Sequence, residues 1–243
     1  MTPPIYAIGD IHGQKAELDR VLDLIETDGG QGAQIVFLGD YTDRGPNSRA
    51  VLDTLIAGRD AGRNWTFLKG NHDRMFEWFM DTPIRHDPHM MVELYWLHER
   101  LGGDTTLASY GVDAGGRRRE QDVQTDALAA VPGAHLSFLR DLRLMHVVGD
   151  LMFVHAGIRP GVAIRDQTEA DLLWIRQEFH NHTDPHPKLI VHGHTPVKEP
   201  THYGNRVNLD TAAGYGAPLT AAVFDAGAVW RLTADGRQPL ATP

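Results

Sequence analysis

Aspartate, histidine and asparagine recur in this chain at the ends of short apolar runs, where together they could hold divalent cations. Asp10 and His12 follow Ile5 to Ile8, and Asp40 follows Ile35 to Leu38. Asn71 and His72 follow Trp65 to Leu68, His155 follows Leu151 to Val154, and His192-Gly193-His194 closes Leu189 to Val191. Carboxylate, imidazole and amide ligands suit Mn, Fe, Zn or similar ions. Such an ion would supply Lewis acidity and an activated water. The chain has no cysteine, which excludes thiol catalysis and thiolate metal sites. Taken singly, each residue also has a structural reading. Asp10 and Asn71 read as helix caps or turn residues, and His155 or His194 as core or loop histidines. Five strand ends carrying such residues weaken that account.

Positioning them requires strands that end at a common rim. Through the first eighty residues, apolar runs alternate with helices whose buried faces are Leu18, Val21, Leu22 and Ile25, then Val51, Leu52, Leu55 and Ile56, with Pro46 suited to the first turn of the second. Such alternation predicts an α/β class with a largely parallel sheet, and ligands gather at the carboxyl ends of such strands. From about 81 to 145 the pattern becomes helical, broken by Gly102-Gly103 and Gly115-Gly116, and reads as a mainly helical insertion over the sheet. The tail, with Arg206 to Leu209, Leu219 to Phe224 and Ala228 to Leu232, predicts an antiparallel meander. No linker divides the chain, so residues 1–243 are expected to form a single domain.

Composition narrows the function. A formal charge of -9 argues against a general nucleic-acid binder. The basic run Arg117-Arg118-Arg119 is short and reads as a solvated loop. There is no apolar run long enough for a membrane span and no signal-peptide pattern, so the expected location is cytoplasmic.

Five blocks, Gly9-Asp10-Ile11-His12-Gly13, Gly39-Asp40-Tyr41-Thr42-Asp43-Arg44-Gly45, Gly70-Asn71-His72-Asp73, His155-Ala156-Gly157 and Gly193-His194, closely resemble the metallophosphoesterase superfamily. Within it they look like the bacterial serine/threonine phosphoprotein phosphatase branch, related to the symmetrical diadenosine tetraphosphatases. The blocks keep the family's order across most of the chain. The resemblance implies a four-layer α/β/β/α sandwich. It also implies two divalent metal ions, Mn foremost with Fe or Zn as alternatives, held by Asp10, His12, Asp40, Asn71, His155 and His194, with Asp40 shared. Pro196 stands where other superfamily members carry a further histidine, so His192 is read as supporting or substrate-facing.

A metal-bridging hydroxide would then attack phosphorus in line. The resemblance makes His72 the general acid, with Asp43 on its other ring nitrogen favouring the protonated form, and Arg44 the phosphate clamp. Arg176, in Leu172-Leu173-Trp174-Ile175-Arg176, is the candidate second phosphate-binding arginine, with Arg159 a weaker competitor. His180, His182 and His186 read as a solvated Pro-rich loop. His86, His89, His98 and His146 receive no chemistry, and Trp78, Tyr95 and Trp96 read as insertion core. The expected activity is phosphomonoester hydrolysis on a phosphorylated protein or small phosphate ester. Hydrolysis of diadenosine tetraphosphate is the alternative and a non-catalytic scaffold the minor one. The motifs address the phosphate and are silent on its substituent.

Overall fold

The computed structural model describes residues 3–91 and 94–241. In chain order these form β1 (Ile5–Ile8), α1 (Lys15–Gly29), β2 (Gln34–Phe37), α2 (Ser48–Asp60), β3 (Trp65–Phe67), α3 (Asn71–Phe79), α4 (Gly103–Ser109), α5 (Glu120–Ala130), α6 (Gly133–Arg140), β4 (Met145–Val148) and β5 (Leu151–Val154). There follow α7 (Glu169–Trp174), α8 (Gln177–His180), β6 (Leu189–His192), β7 (Thr201–His202), β8 (Arg206–Asn208), β9 (Ala221–Asp225), β10 (Ala228–Thr233) and β11 (Gly236–Pro239). One sheet has the order β11-β10-β9-β1-β2-β3 and the other β4-β5-β6-β8-β7. Strands β1, β2 and β3 are parallel, as are β5, β6 and β8.

Alternation of side chains across each strand sorts the core into three apolar layers. In β1, Tyr6 and Ile8 join the cluster beneath α1 and α2, whereas Ile5 and Ala7 face the second sheet. In β5 and β6, Phe153 and Val191 meet the first sheet, whereas Met152, Val154 and Ile190 pack with Leu172, Ile175 and Phe179. Two sheets that bury both faces, one against the other and each against helices, make the expected α/β/β/α sandwich. Among the described residues, no helix is long and apolar enough to cross a membrane.

Two expectations change. The tail is not one meander. β9, β10 and β11 do form one, but β8 lies in the other sheet, parallel to β6, and residues 209–220 carry the chain across. Alternating apolar residues specify a strand without specifying which sheet it joins. The stretch expected to be helical from about 81 has no helix in its described residues up to Gly102, where Pro83 and Pro88 remove backbone donors, and helix resumes with α4.

Candidate metal centre

All six candidate ligands are buried and lie at strand ends or at the start of α3. Their backbone is strained in a patterned way. Among the described residues seven non-glycine residues have left-handed φ, and five belong to the predicted site: His12 (47°), Asp40 (52°), Asp43 (73°), Arg44 (65°) and His194 (66°). Each such conformation costs on the order of 1–3 kcal/mol and survives only where its surroundings impose it, typically at functional sites. Asp73 is one such imposition. Its carboxylate accepts the N–H groups of Asp40 (2.8 Å), Tyr41 (2.9 Å) and Gly70 (2.9 Å), locking the loop after β2 to the start of α3.

The ligand atoms gather in two groups that share Asp40. His12, Asp40 and His72 present atoms all within 4.8 Å of one another, as do Asp40, His155 and His194. Asp40 Oδ2 stands 3.5 Å from both His12 Nε2 and His155 Nε2. The Nδ1–H of His12 donates to the Thr42 carbonyl (2.8 Å) and that of His155 to the Leu38 carbonyl (2.9 Å). These bonds assign the tautomers and leave both Nε2 atoms as acceptors, that of His155 facing the carboxylate and that of His12 lying between it and Arg44. Asn71 Oδ1 lies 3.0 Å from His155 Nε2 and 2.8 Å from His194 Nδ1. Acceptor therefore faces acceptor between His155 and both Asn71 and Asp40. Asp10 Oδ2 accepts the His194 N–H (3.0 Å), and its buried Oδ1 has no hydrogen-bond partner among the described residues.

The electrostatics agree. Burial, followed by the charges of Asp210 and Asp40, pushes the Asp10 carboxyl well above the usual range. Burial also raises Asp40, but the rings of His155, His72, His12 and His194, when charged, outweigh it and hold the carboxyl below the usual range. Burial above all lowers His12, His155 and His194, which favours neutral rings with lone pairs to give. Converging lone pairs, an orphaned carboxylate oxygen and crowded buried acids fit divalent cations bound by N and O donors.

Beside these groups, His72 Nδ1–H donates to Asp43 Oδ2 at 2.7 Å. Asp43 is fully buried and is held by Trp96 Nε1–H (2.8 Å) and the Thr106 hydroxyl (2.7 Å). Arg44 spans the site, donating through Nη1 to His12 Nε2 and through Nη2 to His72 Nε2 (3.0 Å). The ring of exposed Tyr215 lies 4.8 Å from its guanidinium. Arg176 makes no side-chain hydrogen bond or ion pair among the described residues, and its charge is felt at His155, His194 and Asp210. Arg159 instead is engaged by Asp171 and Glu178 on the surface. His192 is outside both ligand groups, buried edge-on against Phe179 with centroids 5.0 Å apart.

The motifs did not reveal Asp210, Trp96, Thr106 or the supporting role of Asp73. Asp210 is buried next to the site, its carboxyl raised to about 6 chiefly by burial. Its only sequence signal was a polar residue closing an apolar strand, the same signal that flagged Asp40. Trp96 was correctly read as core, stacked on Phe76 at 5.0 Å, but its indole N–H also serves Asp43.

Close packing makes one glycine testable. A Cβ on Gly193 would stand 2.0 Å from Asp10 Oδ1. Gly193→Ala is expected to lose about 1–3 kcal/mol of stability and to weaken metal binding, read by thermal denaturation and metal titration. The His-rich loop is also less solvated than expected. His186 stacks on Phe179 at 5.4 Å, and burial, followed by His182 and Arg206, lowers it from 6.5 to about 4. A folded pKa below the unfolded one means the unfolded chain binds the proton first, so stability falls as pH drops from about 6.5 through about 4. The ring is only half-buried, which weakens the effect. His186→Leu is expected to reduce this acid-side loss of Tm by about 2–4 °C, the scale of ~1 kcal/mol in a chain this long.

Comparisons with known proteins agree with the geometry. The family described as calcineurin-like phosphoesterase matches residues 3–223. A bis(5'-nucleosyl)-tetraphosphatase PrpE [asymmetrical] from Anoxybacillus flavithermus is 29% identical over 236 residues, covering 88% of this chain and 87% of the relative. A crystal structure named as a candidate diadenosine tetraphosphatase aligns with TM-score 0.65 and 20% identity, over 95% of this chain and 93% of that one. The cold-active protein-tyrosine phosphatase of a psychrophilic Shewanella aligns with TM-score 0.61 and 18% identity, over 99% and 81%. The chain belongs to the calcineurin-like phosphoesterase family.

Proposed function

We propose that the chain is a metal-dependent hydrolase of dinucleoside tetraphosphates, cutting one phosphoanhydride bond by attack of water. The observation that carries the chemistry is Asp40, whose carboxylate belongs to both ligand groups and lies equally far from His12 and His155. Asp10, His12 and Asp40 would hold one divalent ion and Asp40, Asn71, His155 and His194 the other, manganese being the ion proposed and Fe or Zn sharing the ligand preference. When bound, the pair supplies positive charge to the phosphoryl oxygens and lowers the pKa of a coordinated water.

The remaining residues act on the substrate. Arg44 exchanges its hydrogen bonds to neutral imidazoles for stronger ones to anionic oxygens, and Arg176 offers a second cation. Released by Arg44 and protonated at Nε2 as well as Nδ1, His72 would give that Nε2 proton to the departing oxygen as the new P–O bond forms and the bridging P–O bond breaks. Asp43, fixed by Trp96 and Thr106, keeps the His72 ring aimed.

The tetraphosphate reading replaces the phosphoprotein preference drawn from the motifs. The same machinery serves either substrate, and the relative named for dinucleoside tetraphosphate hydrolysis spans nearly its whole length with this chain. Its name specifies asymmetrical cleavage, whereas the motifs resembled the phosphoprotein phosphatase branch, whose tetraphosphatase relatives are the symmetrical ones. Turnover of diadenosine tetraphosphate, a phosphoserine peptide and p-nitrophenyl phosphate by purified manganese-loaded protein tests the assignment. The tetraphosphate is expected to show the highest kcat/KM. Product analysis separates ATP plus AMP from two ADP. A phosphopeptide preference would return the phosphoprotein reading.

A further inference from the structure

Asp87 is a buried carboxylate in the irregular stretch before α4, and no step proposed above uses it. Its Oδ2 accepts both Nε–H (2.9 Å) and Nη2–H (2.6 Å) of buried Arg74, two residues beyond His72 on α3. The same oxygen accepts the indole Nε1–H of Trp174 (3.1 Å), at the end of α7 and two residues before Arg176. Its Oδ1 accepts from the His89 backbone N–H and from His89 Nδ1–H, both at 3.0 Å. One carboxylate thus joins the helix that carries His72, the tryptophan beside Arg176 and an exposed histidine.

The result is a two-ring stack at the edge of the metal centre. Trp174 meets His194 edge-on with centroids 5.9 Å apart. On Trp174 lies the His89 ring, nearly parallel at 16° with centroids 5.8 Å apart. The His89 side chain is 41% exposed. Packing alone gives no reason to hold an exposed ring with a buried carboxylate, because an exposed ring buries little apolar area. A ring that is to receive a flat ligand gains from being held beforehand, since less freedom is lost on binding.

We propose that the His89–Trp174 stack is a nucleobase subsite, taking the adenine of one nucleoside of the substrate while its phosphate chain reaches Arg44 and Arg176. The subsite rests on the dinucleotide reading given under Proposed function. Asp87 is the positioning residue that fixes the orientation of both rings. Aromatic stacking is indifferent to the phosphate, so the subsite acts on affinity and leaves the chemical step alone.

Steady-state kinetics of His89→Ala and His89→Phe with diadenosine tetraphosphate and p-nitrophenyl phosphate test this. The position is exposed, so both proteins should fold. Loss of one base–aromatic stack changes affinity by roughly 5- to 150-fold. His89→Ala is expected to raise KM for diadenosine tetraphosphate about 10-fold at unchanged kcat, with p-nitrophenyl phosphate turnover unaltered. His89→Phe, which keeps a stacking ring, should recover most of the loss. An unchanged KM in His89→Ala, or equal losses on both substrates, overturns the subsite while leaving the tetraphosphatase reading intact. Wild-type protein that hydrolyses p-nitrophenyl phosphate but not diadenosine tetraphosphate overturns both.

Discussion

His72→Asn is expected to lower turnover of phenyl phosphate by roughly 10²–10⁴-fold, the range contributed by a positioned proton donor, while both ligand groups still take up metal. Asparagine keeps a polar side chain of similar reach but has no titrating proton to give. The loss should shrink for p-nitrophenyl phosphate, because that phenolate departs without protonation. It should also be smaller for diadenosine tetraphosphate, whose departing oxygen belongs to a phosphate that already spreads its charge. Plotting the loss against leaving-group basicity in a series of aryl phosphates is the measurement. A flat line, with all substrates slowed alike, would mean that His72 serves geometry or metal binding. That alternative has a structural basis, since His72 groups with His12 and Asp40. Metal content measured on the same preparation separates the two roles.

The candidate site was legible where chemistry and backbone geometry coincide. A ligand at a strand end has to follow a tight turn, so glycines mark it, and Gly70 shows why. A Cβ there would come within 2.0 Å of Asp40 Oδ1. The His72–Asp43 bond joins the first turn of α3 to the loop after β2, yet the resemblance implied it because each half is fixed to its own strand end. The two-sheet arrangement was legible only through resemblance, since the same alternation of apolar residues would suit β8 in either sheet.

Other contributions left no local trace. Asp87, His89, Trp96 and Thr106 sit where the spacing announces neither strand nor catalytic block, and their roles arise from contacts across long sequence separations. Thr106 reaches Asp43 over 63 positions, and Trp174 reaches Asp87 over 87. A polar residue in a helical stretch has many possible partners, and only tertiary packing selects among them. The stretch read as a cover over the sheet therefore supplies supports for the predicted proton donor's partner and for the aromatic stack.

Asp40→Asn is expected to act differently from His72→Asn, removing metal and turnover together. The amide matches the carboxylate in shape but withdraws the negative charge shared by the two ligand groups, so affinity should fall at both positions rather than one. Two further changes add to this. Asp40 Oδ1 accepts the His72 N–H at 2.9 Å, a bond the amide oxygen can keep, but Oδ2 becomes an N–H₂ facing His12 and His155. His155 presents its lone pair, so the amide can donate to it, while His12 Nε2 already accepts from Arg44, and the resulting hydrogen-bonded cluster competes with cations. Turnover should drop by at least ~10²–10³-fold, the scale on which a single group directed at developing charge contributes, and excess manganese should restore part of it. The rise in Tm on adding metal should shrink, because the charge shared by both ligand groups is gone. Metal analysis, activity against manganese concentration and Tm with and without metal give three readouts. A variant that loses activity at full metal content would show that Asp40 does not join two ion sites.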